Sequence, residues 1–332
     1  MSETTAGDRA AGAAATSDRP QLPLGYGTLY AQEGGYRPRV VVTVEGAGML
    51  RVVSRPPMGE YLRRLWQRRH FIVADSRARV ESSNRVNILG SVWLVLNPLL
   101  SGVVYFVIFG LVLQGRRGID NFPGYLIIGV FMFQFTIRCL TQGSRSISGG
   151  KSLIRAFSFP RASLPVAMVL RETLKFIPAL ITMLVLIIAI PYVMPLLDPG
   201  GEPLELRISW LWLLFPGVLV LQLVLNLGIA LLAARVTAKI PDLTQVISIF
   251  ARFWLYGSAV FFSIDRFDAV PALQTIMRLN PMYLVLDIAR DLLLYATAPS
   301  WMSWALLSAW SAGVLVAGAV YFWRGEETYG SS

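Results

Sequence analysis

The chain has 332 residues, 55% of them hydrophobic and only 15% charged, with a mean hydropathy of +0.55. That composition excludes a water-soluble globule, and with it a soluble enzyme. The formal charge of +10 comes from 30 basic residues, only three of them lysine, and in a membrane protein such residues report topology rather than nucleic-acid binding. One cysteine, Cys139, excludes an internal disulfide; one histidine, His70, leaves no imidazole or thiolate cluster for zinc or iron and no His-based triad.

Residues 1–58 read as a cytoplasmic leader. Up to residue 36 it is rich in Ala, Gly, Ser, Thr and Pro without periodicity, so it cannot bury enough apolar surface to offset its ordering entropy and is expected to be disordered. Two β-branched runs, 39–45 and 49–54, flank Gly46-Ala47-Gly48 and suggest a hairpin over 39–54. A lone hairpin is marginal in water, so it would have to pack on something. The first apolar run begins only at Val86, which does not fit a cleavable signal sequence, so the leader is expected to be retained.

Residues 59–82 turn amphipathic. Leu62, Leu65, Trp66, Ile72 and Val73 fall within about a third of a helix circumference, while Arg63, Arg64, Arg68 and Arg79 point elsewhere. Arg69 falls inside the apolar sector and would have to snorkel toward headgroups, which suits an interfacial helix on anionic lipid. An ordinary cytosolic helix would carry the same pattern.

Six apolar stretches follow, at 86–113, 122–141, 176–197, 208–234, 243–264 and 301–323, each as long as the roughly 20 helical residues that cross a hydrocarbon core. With the leader inside, cytoplasmic segments hold 21 basic residues and the opposite side six, so the positive-inside bias places both termini in the cytoplasm. The fold class is therefore all-α and integral to the membrane, with a six-span domain over 83–325 and a tail over 326–332. Glu326 and Glu327 in that tail read as a solvated pair.

Two connections are too patterned to be plain loops. Residues 143–160 are basic without an acidic residue and display Leu153, Ile154, Phe157 and Phe159, apolar groups suited to docking against something. Residues 267–295, on the outer side, have helical stretches around Asn280-Pro281 interrupted by Asp287, Arg290 and Asp291, as in a pair of re-entrant or interfacial helices shielded by protein. The GGKS tetrapeptide at 149–152 is a decoy. A phosphate loop needs a glycine where Arg145 stands, and no strand precedes it. The cytoplasmic acids are scattered rather than paired as a metal-dependent transferase would need.

Three motifs carry a resemblance. LGSVWLVLNPLL at 89–100 contains Trp93, Asn97 and Pro98; KSLIRAFSFPRASLPVA at 151–167 ends its loop in Phe159-Pro160-Arg161; LNPMYLVLDIARDLLLY at 279–295 contains Asn280, Pro281 and Arg290. In this order, on six spans, over about 60–327, they resemble the permease subunits of type-2 ATP-binding-cassette exporters, in the branch that exports lipid-linked polysaccharides such as O-antigens, teichoic acids and actinobacterial galactan. The resemblance implies a homodimer in the bacterial plasma membrane bound to two copies of a cytosolic ATPase. ATP and Mg2+ would sit in that partner, leaving this chain without cofactor or catalytic residue. It also implies that 151–161 form the coupling helix, with Lys151, Arg155, Phe157, Phe159, Pro160 and Arg161 facing the ATPase; aromatic and Arg side chains are favoured interface anchors.

A charge within a span is costly and hence a functional candidate. Arg252 stands nine residues into the fifth stretch, about 13 Å along a helix, where a guanidinium could meet the pyrophosphate of a polyprenyl-linked glycan in a bidentate way. An internal ion pair or a water-filled dimer seam would use the same residue. Sugar C–H faces stack on aromatic rings, so Phe131, Phe135, Phe250, Trp254, Tyr256, Phe261 and Phe262 are candidates to line the path, although helix interfaces and interfacial belts use such rings too. Glu172 and Lys175 are spaced to pair on a cytoplasmic extension of the third span. A drug or small-lipid efflux permease and a membrane-embedded glycosyl or phosphoglycosyl transferase stay open as alternatives.

Overall fold

The computed structural model describes residues 56–85, 90, 92–108, 119, 121–151, 154, 159–197 and 208–330. The leader with its expected hairpin, and Arg155 and Phe157 of the coupling segment, lie outside the described residues. Within them every regular element is helical, and no strand occurs.

The amphipathic segment is two helices rather than one: α1, Met58–Gln67, and α2, Arg69–Arg85, break at Arg68. The break divides the expected apolar face. Tyr61 and Ile72 are buried against protein, while Leu62 and Trp66 stay on the surface, Trp66 at 68% exposure, with Leu65 half-buried between. Arg69 does not extend away. Its guanidinium lies 5.1 Å from the Trp66 ring centre and donates to the Trp66 carbonyl at 3.2 Å.

Among the described residues, four helices are long and apolar enough to cross a membrane: α4, Phe122–Ser144; α5, Ser163–Leu197; the run from the 3-10 turn Trp210–Leu214 into α6, Phe215–Lys239; and α10, Trp301–Trp323. The other two apolar stretches give shorter helices, α3, Val92–Tyr105, with Pro98 inside it, and α7, Leu243–Gly257. At 1.5 Å per residue α7 is about 22 Å long, short of a 30 Å core, because the chain reverses after Gly257 where a straight span to 264 was expected. On the far side, α8, Pro271–Arg278, and α9, Pro281–Arg290, form where helical stretches were read around Asn280-Pro281.

Local signals start the helices. Asn121 accepts the Gly124 amide at 3.0 Å ahead of Pro123, and Ser300 accepts the Ser303 amide at 3.0 Å; each such cap satisfies a donor the helix cannot. α5 begins 13 residues before the predicted span. Its 35 residues make about 52 Å of helix, and the early turns hold the expected Lys175–Glu172 pair at 2.9 Å.

α4 is the central helix, buried along nearly its whole length between α5, α6, α7 and α9. Apolar lipid gives helices little reason to associate, so close backbone contact and internal hydrogen bonds must hold them. Gln222 of α6, fully buried, donates to the Met132 carbonyl at 2.9 Å and to Thr136 at 3.0 Å on α4. α6 and α10 cross through Gly228 and Gly318: a Cβ on Gly318 would stand 2.5 Å from the Gly228 carbonyl oxygen.

Candidate functional site

Three polar features interrupt this apolar bundle. The first is the α7 face. Val246, Ile249, Phe250, Phe253 and Tyr256 recur at helical spacing and are all exposed, Phe253 at 72%. Arg252, also exposed, lines a 240 Å³ cavity between α3, α4 and α7 with Tyr105, Gln134, Thr141 and Ser248. Among the described residues it has neither an ion pair nor a hydrogen bond.

The aromatic candidates separate into two groups. Phe131, Phe135 and Phe261 are buried in the protomer core; Phe135 stacks on Phe176 with ring centres 4.4 Å apart, and Phe261 packs on Tyr105 at 4.6 Å. These three fill helix interfaces in this structure. Phe250 and Tyr256 are on the surface, and Trp254 and Phe262 are half-buried. Trp254 is fixed, edge-on to Phe133 at 5.8 Å and donating its indole N–H to Asn280 Oδ1 at 3.0 Å.

The second feature holds the chain reversal after α7. Ala259 adopts φ 52°, in the left-handed region, which costs a residue with a Cβ about 1–2 kcal/mol. The reversal also frees carbonyls from helical bonding. Arg290, 2% exposed, donates to the carbonyls of Ala259 at 3.2 Å, Tyr125 at 3.3 Å and Val260 at 3.4 Å, with its guanidinium 3.3 Å from the Tyr125 ring centre. The Tyr125 hydroxyl lies 2.8 Å from the Ala259 carbonyl and 2.7 Å from that of Phe262. Asn280 caps α9 by accepting the Met282 amide at 3.0 Å and donates to the Gly257 carbonyl at 2.9 Å and to Ser258 Oγ at 3.0 Å. Pro281 occupies the first turn. The Asn-Pro and Arg motif residues thus clamp the irregular backbone after α7 against α4 and α9. Beside it opens a cavity of 630 Å³ lined by Asp265, Arg278, Tyr283 and Asp287. The other motif residues do less here. Trp93 and Asn97 are exposed on α3, and Pro98 is buried against α4.

The third feature gathers residues from both ends of the described chain around the connection after α4. Ile147, Leu164, Leu231, Phe322 and Tyr329 form an apolar cluster with Tyr61, and Ile154 and Phe159 pack against it. Phe159, expected to face a partner, is half-buried in the protein's own cluster; Pro160 is buried, Arg161 half-buried and Lys151 exposed. Glu326 is not solvated. Its carboxylate accepts the Arg161 amide at 2.9 Å and the Tyr61 hydroxyl at 2.8 Å, while the Arg161 guanidinium donates to the Glu326 carbonyl. Tyr61 in turn accepts the Ala162 amide at 3.0 Å. Trp323 donates to the Pro56 carbonyl at 3.0 Å, and Arg235 lies over the Tyr329 ring at 5.3 Å. Sequence reasoning missed Tyr61 and Glu326 because their partners lie 101 to 265 positions away.

A bundle of long apolar helices, with one cationic side chain opening into a lateral cavity and a basic connection at one end, is a polytopic membrane protein. Residues 76–294 match the ABC-2 type transporter family, and the chain belongs to it. It is similar to the O-antigen export system permease protein RfbA of Myxococcus xanthus, 27% identical over 221 residues, covering 67% of this chain and 79% of that one. A Klebsiella pneumoniae protein of the same name is 26% identical over 223 residues, covering 67% and 78%.

Proposed function

We propose that this chain is the membrane-spanning subunit of an ATP-driven exporter that moves a lipid-linked cell-wall polysaccharide, on a polyprenyl pyrophosphate, from the cytoplasm to the outer face of the bacterial plasma membrane. Family membership, together with relatives named for O-antigen export, carries this reading. Two copies of the chain pair with two copies of a cytosolic ATPase that holds ATP and Mg2+. Both termini are cytoplasmic, as the basic residues favour.

Each part of the chain then has a task. Leu62, Leu65 and Trp66 of α1 rest on lipid, which suits the surface they leave open. The stretch from Lys151 to Arg161, with Arg155, Phe157 and Phe159, meets the ATPase. Phe250, Tyr256 and the half-buried Trp254 and Phe262 offer rings to the glycan; Phe131, Phe135 and Phe261 would join them only if the core opened. Arg252 attracts the pyrophosphate, since an exposed guanidinium within an apolar helix is costly unless it meets charge.

The test is export by the reconstituted complex. Arg252→Ala should lower polymer export by at least about tenfold, the worth of one charge-assisted hydrogen bond lost, while Arg252→Lys retains part of it. Export at the wild-type rate by Arg252→Ala would remove the phosphate role. ATP hydrolysis by the chain reconstituted alone would overturn the assignment of ATPase activity to a partner.

A further inference from the structure

The connection 145–162 leads out in two ways. Covalently it continues through Ser163 into α5. Through hydrogen bonds it reaches α1 and the turn Glu326–Gly330 that follows α10, because Glu326 accepts from both the Arg161 amide and the Tyr61 hydroxyl, and Tyr61 accepts from the Ala162 amide. We propose that Glu326 is a positioning residue for energy coupling, the joint through which movement of the connection reaches α1 and α10 as well as α5. The inference rests on the reading of that connection as the ATPase-facing surface.

The physical case is one of stiffness. α10 packs on α6 and α9, so a pull delivered to α5 alone would reach it only indirectly, through the packing of α5 on α6. Glu326 supplies a shorter route. A partly buried carboxylate is costly unless its oxygens are satisfied, and here each oxygen has a donor from a different element. The Arg161 guanidinium closes the joint from the other side onto the Glu326 carbonyl. The indole of Trp323, at the end of α10, is tied to Pro56 just ahead of α1 at 3.0 Å, so α1 and α10 are fastened to each other beside the joint. Arg235 of α6 covers Tyr329 and donates to the Gly325 carbonyl at 3.4 Å, which holds the turn in place against a third helix.

The experiment is a coupling ratio, polymer exported per ATP hydrolysed, on the purified complex of full-length chain and ATPase in liposomes. Glu326→Ala should leave the complex assembled and hydrolysing ATP while the ratio falls at least about fivefold. Glu326→Gln should restore most of it, because the amide keeps an acceptor for Arg161 and a donor for the Tyr61 oxygen. Tyr61→Phe, which removes only the α1 arm, should fall between. A wild-type ratio in Glu326→Ala overturns the proposal. If Glu326→Ala does not assemble, a wild-type ratio in Tyr61→Phe overturns it equally. Failure of the wild-type chain to bind any ATPase is a different result, and it removes the exporter reading on which the joint rests.

Discussion

The clamp at Arg290 and the joint at Glu326 are both polar nodes between segments remote in sequence, yet they are built from opposite materials. At Arg290 a buried guanidinium and a nearby asparagine side chain serve backbone carbonyls left over where α7 ends, and the guanidinium also reaches the Tyr125 carbonyl in the first turn of α4. At Glu326 a carboxylate gathers a backbone amide and a tyrosine hydroxyl from two other elements. The first repairs a defect that an apolar surround makes expensive. The second joins intact helices at the edge of the bundle through a group that can titrate.

The comparison breaks most visibly at Arg290. Replacement by Met would take the guanidinium donor from the Val260 carbonyl and one of two side-chain donors from that of Ala259, and should cost about 2–3 kcal/mol, read as a lower unfolding midpoint in detergent; Arg290→Lys, with no planar fork, should not restore it. An unchanged midpoint would mean that the reversal after α7 needs no clamp. A smaller effect is expected at Asn280. Asn280→Ala removes the α9 cap and the Trp254 partner, a loss of about 1–2 kcal/mol, and Trp254 fluorescence should shift as its indole N–H loses Asn280; an unshifted spectrum would argue against the fixed ring.

The smallest effect sharpens the contrast at Glu326. Burial raises the Glu326 carboxyl above the usual carboxylate range, opposed by the Arg161 amide, the Tyr61 hydroxyl and the Arg161 guanidinium. The docked form therefore binds its proton more tightly than the released form. Docking is strongest below the ordinary glutamate value and weakens as pH rises through the raised one. A fluorine label at Tyr329 should report tighter docking at pH 5 than at pH 7.5, and Glu326→Gln should abolish the difference. The reverse slope would contradict the burial argument. The other groups facing the joint are Tyr61, Tyr329 and Arg235, and burial raises both tyrosines further from neutrality.

Much of the architecture was written in local pattern. Apolar runs of sufficient length became α4, α5, α6 and α10, Asn280-Pro281 became a cap and first turn, and Glu172 met Lys175 at the expected spacing. Where length alone was counted, the pattern misled. Residues 243–264 are mostly apolar but end their helix at Gly257, because carbonyls beyond it are taken by Arg290 and Tyr125. The amphipathic face of 59–82 was visible, but not its division at Arg68 between protein and open surface.

The sequence by itself determined that this protein is a bundle of membrane helices, since hydropathy and helix length are properties of short windows. Tertiary structure alone decided which aromatics are core and which remain on a surface, and that Glu326 is bound rather than solvated. Those outcomes depend on pairings across as many as 265 positions, and no local free energy distinguishes a carboxylate awaiting such a partner from one facing water.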